Sequence, residues 1–229
     1  RDWSSDVCSS DLVSTNTGPL AGIKVVDLSV MISGPLAAMM LADQGADVIK
    51  VESPGIGDMM RFLGSQKGGI TGIFALHNRG KRSIGLNLKS DKGREILRDL
   101  LKDADVVIQN FRPGALEKLG FGYDDVRKFN DRVVYVSISG FGPDGPRSGQ
   151  RVYDNVIQAA SGLASVQTDK ATGRPQVFRT LVCDKVTSYT VAQAVTAALF
   201  ARERGRGGQH IEISMLDSAI AFKIGRAHV

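Results

Sequence analysis

The chain has 229 residues, 42% hydrophobic and 23% charged, a globular balance that excludes a disordered chain and leaves room for one or two domains. Two cysteines exclude a disulfide scaffold or a four-cysteine zinc site, so the reducing cytoplasm is the expected compartment; three histidines leave little for a metal, and none is expected. The net charge of +5 is spread along the chain without the concentrated basic stripe that nucleic acid needs, and the 6% aromatic content does not suggest base stacking.

The ends read differently from the middle. Residues Asp6–Asp11 spell DVCSSD and Ile224–Val229 spell IGRAHV. The codons ATC GGA AGA GCA CAC GTC encode the second string, and their reverse complement encodes the first. Inverted ends of this kind look like translated sequencing adapter, so residues 1–12 and 224–229 are expected to be adapter-derived tails around a core of 13–223. Setting aside one Arg and three Asp at the front, and one Arg at the back, the net charge becomes +6.

In chain order, Ile23–Ser29 is a β-branched run that predicts a strand. Pro35 suits the first turn of a helix over Leu36–Asp43, which Gly45 stops. Asp47–Glu52 predicts the next strand and Pro54–Gly57 a loop. The stretch Met59–Asn78 is ambiguous, with a helix expected near Ile73–Asn78. Ser83–Leu88 alternates as a half-buried strand does. Ser90 can cap a helix over Asp91–Ala104, whose Ile96, Leu97, Leu100 and Leu101 form one apolar stripe. Asp105–Asn110 predicts a strand, and Pro113 opens a short helix that ends at Gly120. Tyr123–Asn130 predicts a helix and Val133–Ser139 a strand. Gly140–Gly149 is a loop. Asn155–Ala160 predicts a helix. A long helix starts at Cys183 or Asp184 and runs to about Arg204, and His210–Met215 is a last strand. Its apolar stretch Val191–Ala201 is too short to span a bilayer, so no membrane partner is expected.

Repeated strand–helix units predict an α/β fold, a Rossmann-like parallel sheet with helices on both faces. Ligands in such sheets lie beyond the carboxyl ends of strands, which points to 29–35, 52–58, 110–114 and 139–146. No GxGxxG follows the first strand, and the chain has no P-loop, GxSxG or HExxH. The turn Asn110-Phe111-Arg112-Pro113-Gly114 could hold a phosphate or simply cap a helix.

Seven segments carry a resemblance. LAGIKVVDLS…GP, GADVIKVESPGIGD, NRGKRSIGLNLKS, ADVVIQNFRPGALEKLGFGYD, VYVSISGFGPDGP, YDNVIQAASG and GRGGQHIEISMLDS stand in this order from about Pro19 to Phe222. Together they resemble the class III coenzyme A transferases, which include formyl-CoA transferase, carnitine CoA-transferase and α-methylacyl-CoA racemase. The resemblance implies an interlaced homodimer of two ring-like chains about twice this length, of which residues 13–223 are the N-terminal part of the large domain. It implies transfer of CoA between an acyl-CoA and a carboxylic acid acceptor, with coenzyme A as substrate and no permanently bound cofactor.

Residue by residue, the resemblance makes Asp184 the nucleophile, a carboxylate that helix amides and the helix dipole would keep ionised. It places Asn110, Phe111, Arg112, Lys118, Arg151, Tyr153, Lys81, Arg82 and Lys89 at the CoA site. Racemases carry a His where this chain has Tyr153, and a phenol with an unperturbed pKa near 10 is a poor base. Transfer is therefore expected over racemisation, with a non-catalytic CoA-binding fragment as the other reading. Ile32 replaces a family Gln, which argues against formyl-CoA and oxalate. Cys183, His77 and His210 are read as structural.

Overall fold

The computed structural model describes residues 17–223. The two expected tails, 1–12 and 224–229, lie outside these residues. In chain order the elements are β1 (Lys24–Asp27), α1 (Ser33–Asp43), β2 (Asp47–Glu52), the short hairpin β3 (Gln66–Lys67) and β4 (Ile70–Thr71), and α2 (Gly72–Asn78). Then come β5 (Lys81–Gly85), α3 (Asp91–Lys102), β6 (Val106–Gln109), α4 (Tyr123–Val126) and β7 (Val134–Ser139). The series closes with α5 (Asp154–Ala160), α6 (Leu163–Val166), α7 (Val182–Ala201), β8 (Gln209–Ser214) and α8 (Met215–Lys223).

Six strands pair in parallel in the order β5-β2-β1-β6-β7-β8. The chain builds outward from β1 in one direction, then returns to build outward from β6 in the other. The strand order therefore reverses between β1 and β6, and the crevice above that point is where α/β sheets bind ligands. Strand alternation feeds two cores. Val25, Val106, Ile108, Val134 and Val136 face α1 and α7, whereas Val26, Val107 and Tyr135 face α3 and α4. Close approach at the first turn requires Gly34, because a Cβ there would stand 2.3 Å from the Ser29 side chain.

Several expected boundaries move. The strand expected at 83–88 is β5, Lys81–Gly85, which pairs with β2 from Lys81 opposite Val48. Leu86 still packs in the core, but the chain is already turning toward Ser90, whose hydroxyl accepts from the Gly93 amide at 3.1 Å to cap α3. The expected helix over 123–130 is regular only to Val126, and the long helix gives way after Ala201 to a wide turn over Arg202–Arg206. The β3–β4 hairpin, α6 and α8 were not expected. Among the described residues, no helix is long and apolar enough to cross a membrane.

Beneath the crevice lies a set of buried ions. The Lys81 ammonium donates at 2.8 Å to each of Asp27 Oδ2, the Pro35 carbonyl and Asn78 Oδ1. Lys50 donates to the Ser29 carbonyl at 2.8 Å and stands 3.0 Å from Asp58 Oδ2. All four side chains are at most 1% exposed. Burial alone would raise the Asp27 pKa, but Lys81 and Lys50 outweigh it and hold the carboxyl below the usual range. Burial lowers the Lys81 pKa, with Asp27 opposing.

Removing one partner of such a set leaves an uncompensated buried charge. Lys81→Ala is expected to reduce stability by about 3–5 kcal/mol, read from urea unfolding at pH 7. A loss under about 1 kcal/mol would show that the set does not depend on Lys81.

Candidate active site

Asp184 lies in the first turn of α7, half-buried, on the wall of a cavity of about 360 Å³. Asn110, Phe111, Arg112, Arg151 and Tyr153 line the same cavity. Tyr153 is 72% exposed, so it is no part of the core. A second cavity, about 840 Å³, is lined by Phe111, Arg112, Lys89 and Lys118 together with Pro54, Leu86 and Leu88. Val30, Phe111, Arg112 and Pro113 belong to both walls, so the two cavities are neighbours across one turn. Three cations and an apolar floor in the larger cavity suit an anionic ligand with a flat apolar part.

The electrostatics of Asp184 correct one expectation. Its own amide donates at 2.9 Å to Asp154 Oδ2, a carboxylate only 1% exposed at the start of α5. Asp154 Oδ1 accepts from the Gln158 side chain, which also donates to the Thr180 carbonyl at 3.2 Å. The helix start is thus occupied by Asp154 and does not lower Asp184. Burial pushes the Asp184 carboxyl up to about 7, the Asp154 charge adds to the rise, and the Ser33 amide pulls against it. Asp154 stands in the YDNVIQAASG segment, and its burial comes from packing that the local sequence does not display.

Other expected site residues fall elsewhere. Arg82 sits toward the opposite end of the sheet, paired with Asp47 at 2.6 Å, and lines neither cavity. Its neighbour Lys81 is sealed among the buried ions. The reason is β5's register, which brings both residues beside the first half of β2. Asn110 reaches the crevice, but its carboxamide is bonded to both backbone groups of Val30. Ile32 is 2% exposed and packs with Met60 and Phe74, away from the cavity, so it carries no argument about the acyl group. Cys183 is buried, and burial followed by the Asp154 and Asp184 charges pushes its thiol up to about 12, which makes it inert. His77 bonds to the Ile73 carbonyl, and His210 stacks on Tyr123 at 4.7 Å.

The fold and site define an α/β protein with an acidic group beside a cation-lined, nucleotide-sized crevice. Residues 20–227 match CoA-transferase family III, and the chain belongs to that family. It is 41% identical over 206 residues to the acetyl-CoA:oxalate CoA-transferase of Acetobacter aceti, covering 90% of this chain and 53% of that protein. It is also 41% identical over 206 residues to the succinate–glutarate CoA-transferase of Agrobacterium fabrum, covering 87% and 51%. A crystal structure of a CaiB/BaiF family protein from Brucella suis superposes with a TM-score of 0.86 at 37% identity, covering 91% of this chain and 56% of that one. The chain thus spans about half the length of these proteins.

The raised Asp184 pKa has a definite sign. Below about pH 4 the group is protonated in both folded and unfolded chains and contributes nothing. As pH rises the unfolded chain releases the proton first, so the folded state loses stability until about pH 7. Asp184→Asn is therefore expected to raise stability above pH 7 by about 2 kcal/mol, the effect of the raised pKa being lessened by partial solvent access, and to have no such effect at pH 4. Thermal unfolding of both proteins at pH 4 and pH 8 checks this.

Proposed function

We propose that this protein moves coenzyme A between an acyl-CoA thioester and a carboxylic acid, with Asp184 as the covalent carrier. What supports this reading is one juxtaposition: a carboxylate on the wall of a cavity whose neighbour is lined by Lys89, Arg112 and Lys118. Family membership adds to it. The nucleotide end of CoA lies in the larger cavity, with its phosphates toward those cations. The pantetheine arm passes Phe111 and Pro113, and the thioester meets Asp184 beside Tyr153.

An Asp184 oxygen attacks the thioester carbonyl, the C–S bond breaks, and CoA leaves as thiolate. The product is an acyl-aspartyl anhydride. The thiolate then attacks the aspartyl carbonyl, releasing the first acid and leaving an aspartyl-CoA thioester. An incoming carboxylate runs both steps in reverse. Each step exchanges one anion for another, so no net proton transfer is required. Arg112 and Arg151 offset the acceptor's charge. Water must be kept out, since either intermediate would hydrolyse. Tyr153 in place of a histidine, with His77 and His210 away from the cavity, favours transfer over racemisation.

The complete protein is cytoplasmic and acts as an interlaced homodimer. Exposed Phe62, Leu76, Tyr189 and Phe200 suit coverage by more chain.

The test offers acetyl-, formyl- and succinyl-CoA to the full-length protein with oxalate, succinate or glutarate. CoA exchange is expected with at least one pair. Its rate should rise through about pH 7 as Asp184 ionises. Hydroxylamine added during turnover should leave a hydroxamate at Asp184, and Asp184→Asn should lower exchange by about a thousandfold or more. Tight acyl-CoA binding without exchange or hydroxamate would leave a CoA-binding protein, and solvent deuterium entering the α-position would indicate racemisation.

A further inference from the structure

The first strand ends in a turn of which five polar backbone groups are held by side chains. The Ser29 amide donates to Asp27 Oδ1 at 2.9 Å, and the Ser29 carbonyl accepts from Lys50 at 2.8 Å. The Val30 amide donates to Asn110 Oδ1 at 2.9 Å, and the Val30 carbonyl accepts from Asn110 Nδ2 at 2.7 Å. The Met31 amide donates to Asp58 Oδ1 at 3.1 Å. One carboxamide thus serves both sides of one residue, as a neighbouring strand would.

Such holding has a reason. Met31 has a φ of 70°, the single non-glycine residue with positive φ among those described. That conformation is unfavourable for an L-residue by about 1–2 kcal/mol and persists only where its surroundings impose it. The turn aims the Ile32 side chain into the apolar cluster with Met60 and Phe74, and starts α1 at Ser33. Ser33 is one wall of the Asp184 cavity, and its carbonyl accepts from Ser188 at 2.8 Å, tying α1 to α7. Facing Asp184 are the Asp154 carboxylate from α5 and, around the same cavity, Arg112 and Arg151.

We propose that Asn110 is a positioning residue: by clamping Val30 it holds the left-handed Met31 turn, and through that turn sets Ser33 against the Asp184 carboxylate. This rests on the proposed role of Asp184 and adds to it a residue that acts on the carboxylate rather than on CoA. A residue that only bound CoA would leave its carboxamide free for the ligand, whereas this one is engaged on both sides by the chain itself. The Ser33 amide favours the ionised carboxylate, so loss of the clamp removes that favour.

The experiment uses the full-length protein and an acyl-CoA–carboxylate pair that the wild type turns over. Asn110→Ala is expected to lower kcat about tenfold or more while KM for the acyl-CoA stays within about threefold. The acid limb of its pH profile should move to higher pH. Adding Met31→Gly, which removes the penalty of the left-handed turn, should recover at least about threefold of the lost kcat. Should the alanine variant fail to fold, Asn110→Asp keeps the acceptor for the Val30 amide, loses the donor to its carbonyl, and gives the same read-outs. A raised KM with kcat and pH profile unchanged, or no recovery on adding Met31→Gly, overturns the assignment while Asp184→Asn remains inactive. If Asp184→Asn itself turns over normally, the carrier reading and this one fall together.

Discussion

The arrangement above the sheet depends on four charges sealed below it. Asp27 ends β1, Lys50 lies within the neighbouring β2, Asp58 follows β2 in the next loop, and Lys81 opens β5. Few groups are as unfavourable to bury singly, so each requires the others in place. Lys81 also reaches the Pro35 carbonyl in the first turn of α1, and Lys50 the Ser29 carbonyl. The ion set therefore fixes where β1 ends, where α1 starts and how the turn between them lies. Glu52 extends the same logic outward. Burial would raise its pKa, but Arg61, Ser83 and the Asp58 amide bring it down to about 2.

Above this base, two carboxylates share one helix start and are treated differently. Asp154 receives hydrogen bonds from Gln158 and from the Asp184 amide. Asp184 has lost those partners to it and is pushed toward neutrality. A carboxylate that satisfies its surroundings is a poor attacking group, and one left short of partners is held at higher energy. Under the proposed function the second kind is the useful one, because the bond it forms to the acyl carbon relieves its charge.

Much of the fold was legible in the sequence because the strands carry their signal locally. The β-branched runs at 23–29, 47–52, 105–110 and 133–139 each gave a strand, and Ser90 gave its helix start. The misplaced β5 shows the limit. Ile84, Leu86 and Leu88 alternate as a strand would, but the register is set by Lys81 finding Asp27, Asn78 and Pro35, contacts 3 to 54 residues away. The same register removed Arg82 from the crevice. For the site, Asp184, Asn110, Phe111, Arg112, Lys118, Arg151, Tyr153 and Lys89 do converge. What no local pattern could reveal was that Asn110 is bonded to Val30 and that Asp154 stands beside Asp184.

Under the proposed function, the wall shared by the two cavities, Phe111 to Pro113, separates a gripping end from a reacting end. A substrate that bridges both is recognised by its handle, far from the bond that changes. Cargo attached at the other end meets a smaller chamber and few fixed partners. A scaffold divided this way can exchange one acid for another over evolutionary time by reshaping the small chamber, while the grip on the carrier is inherited intact.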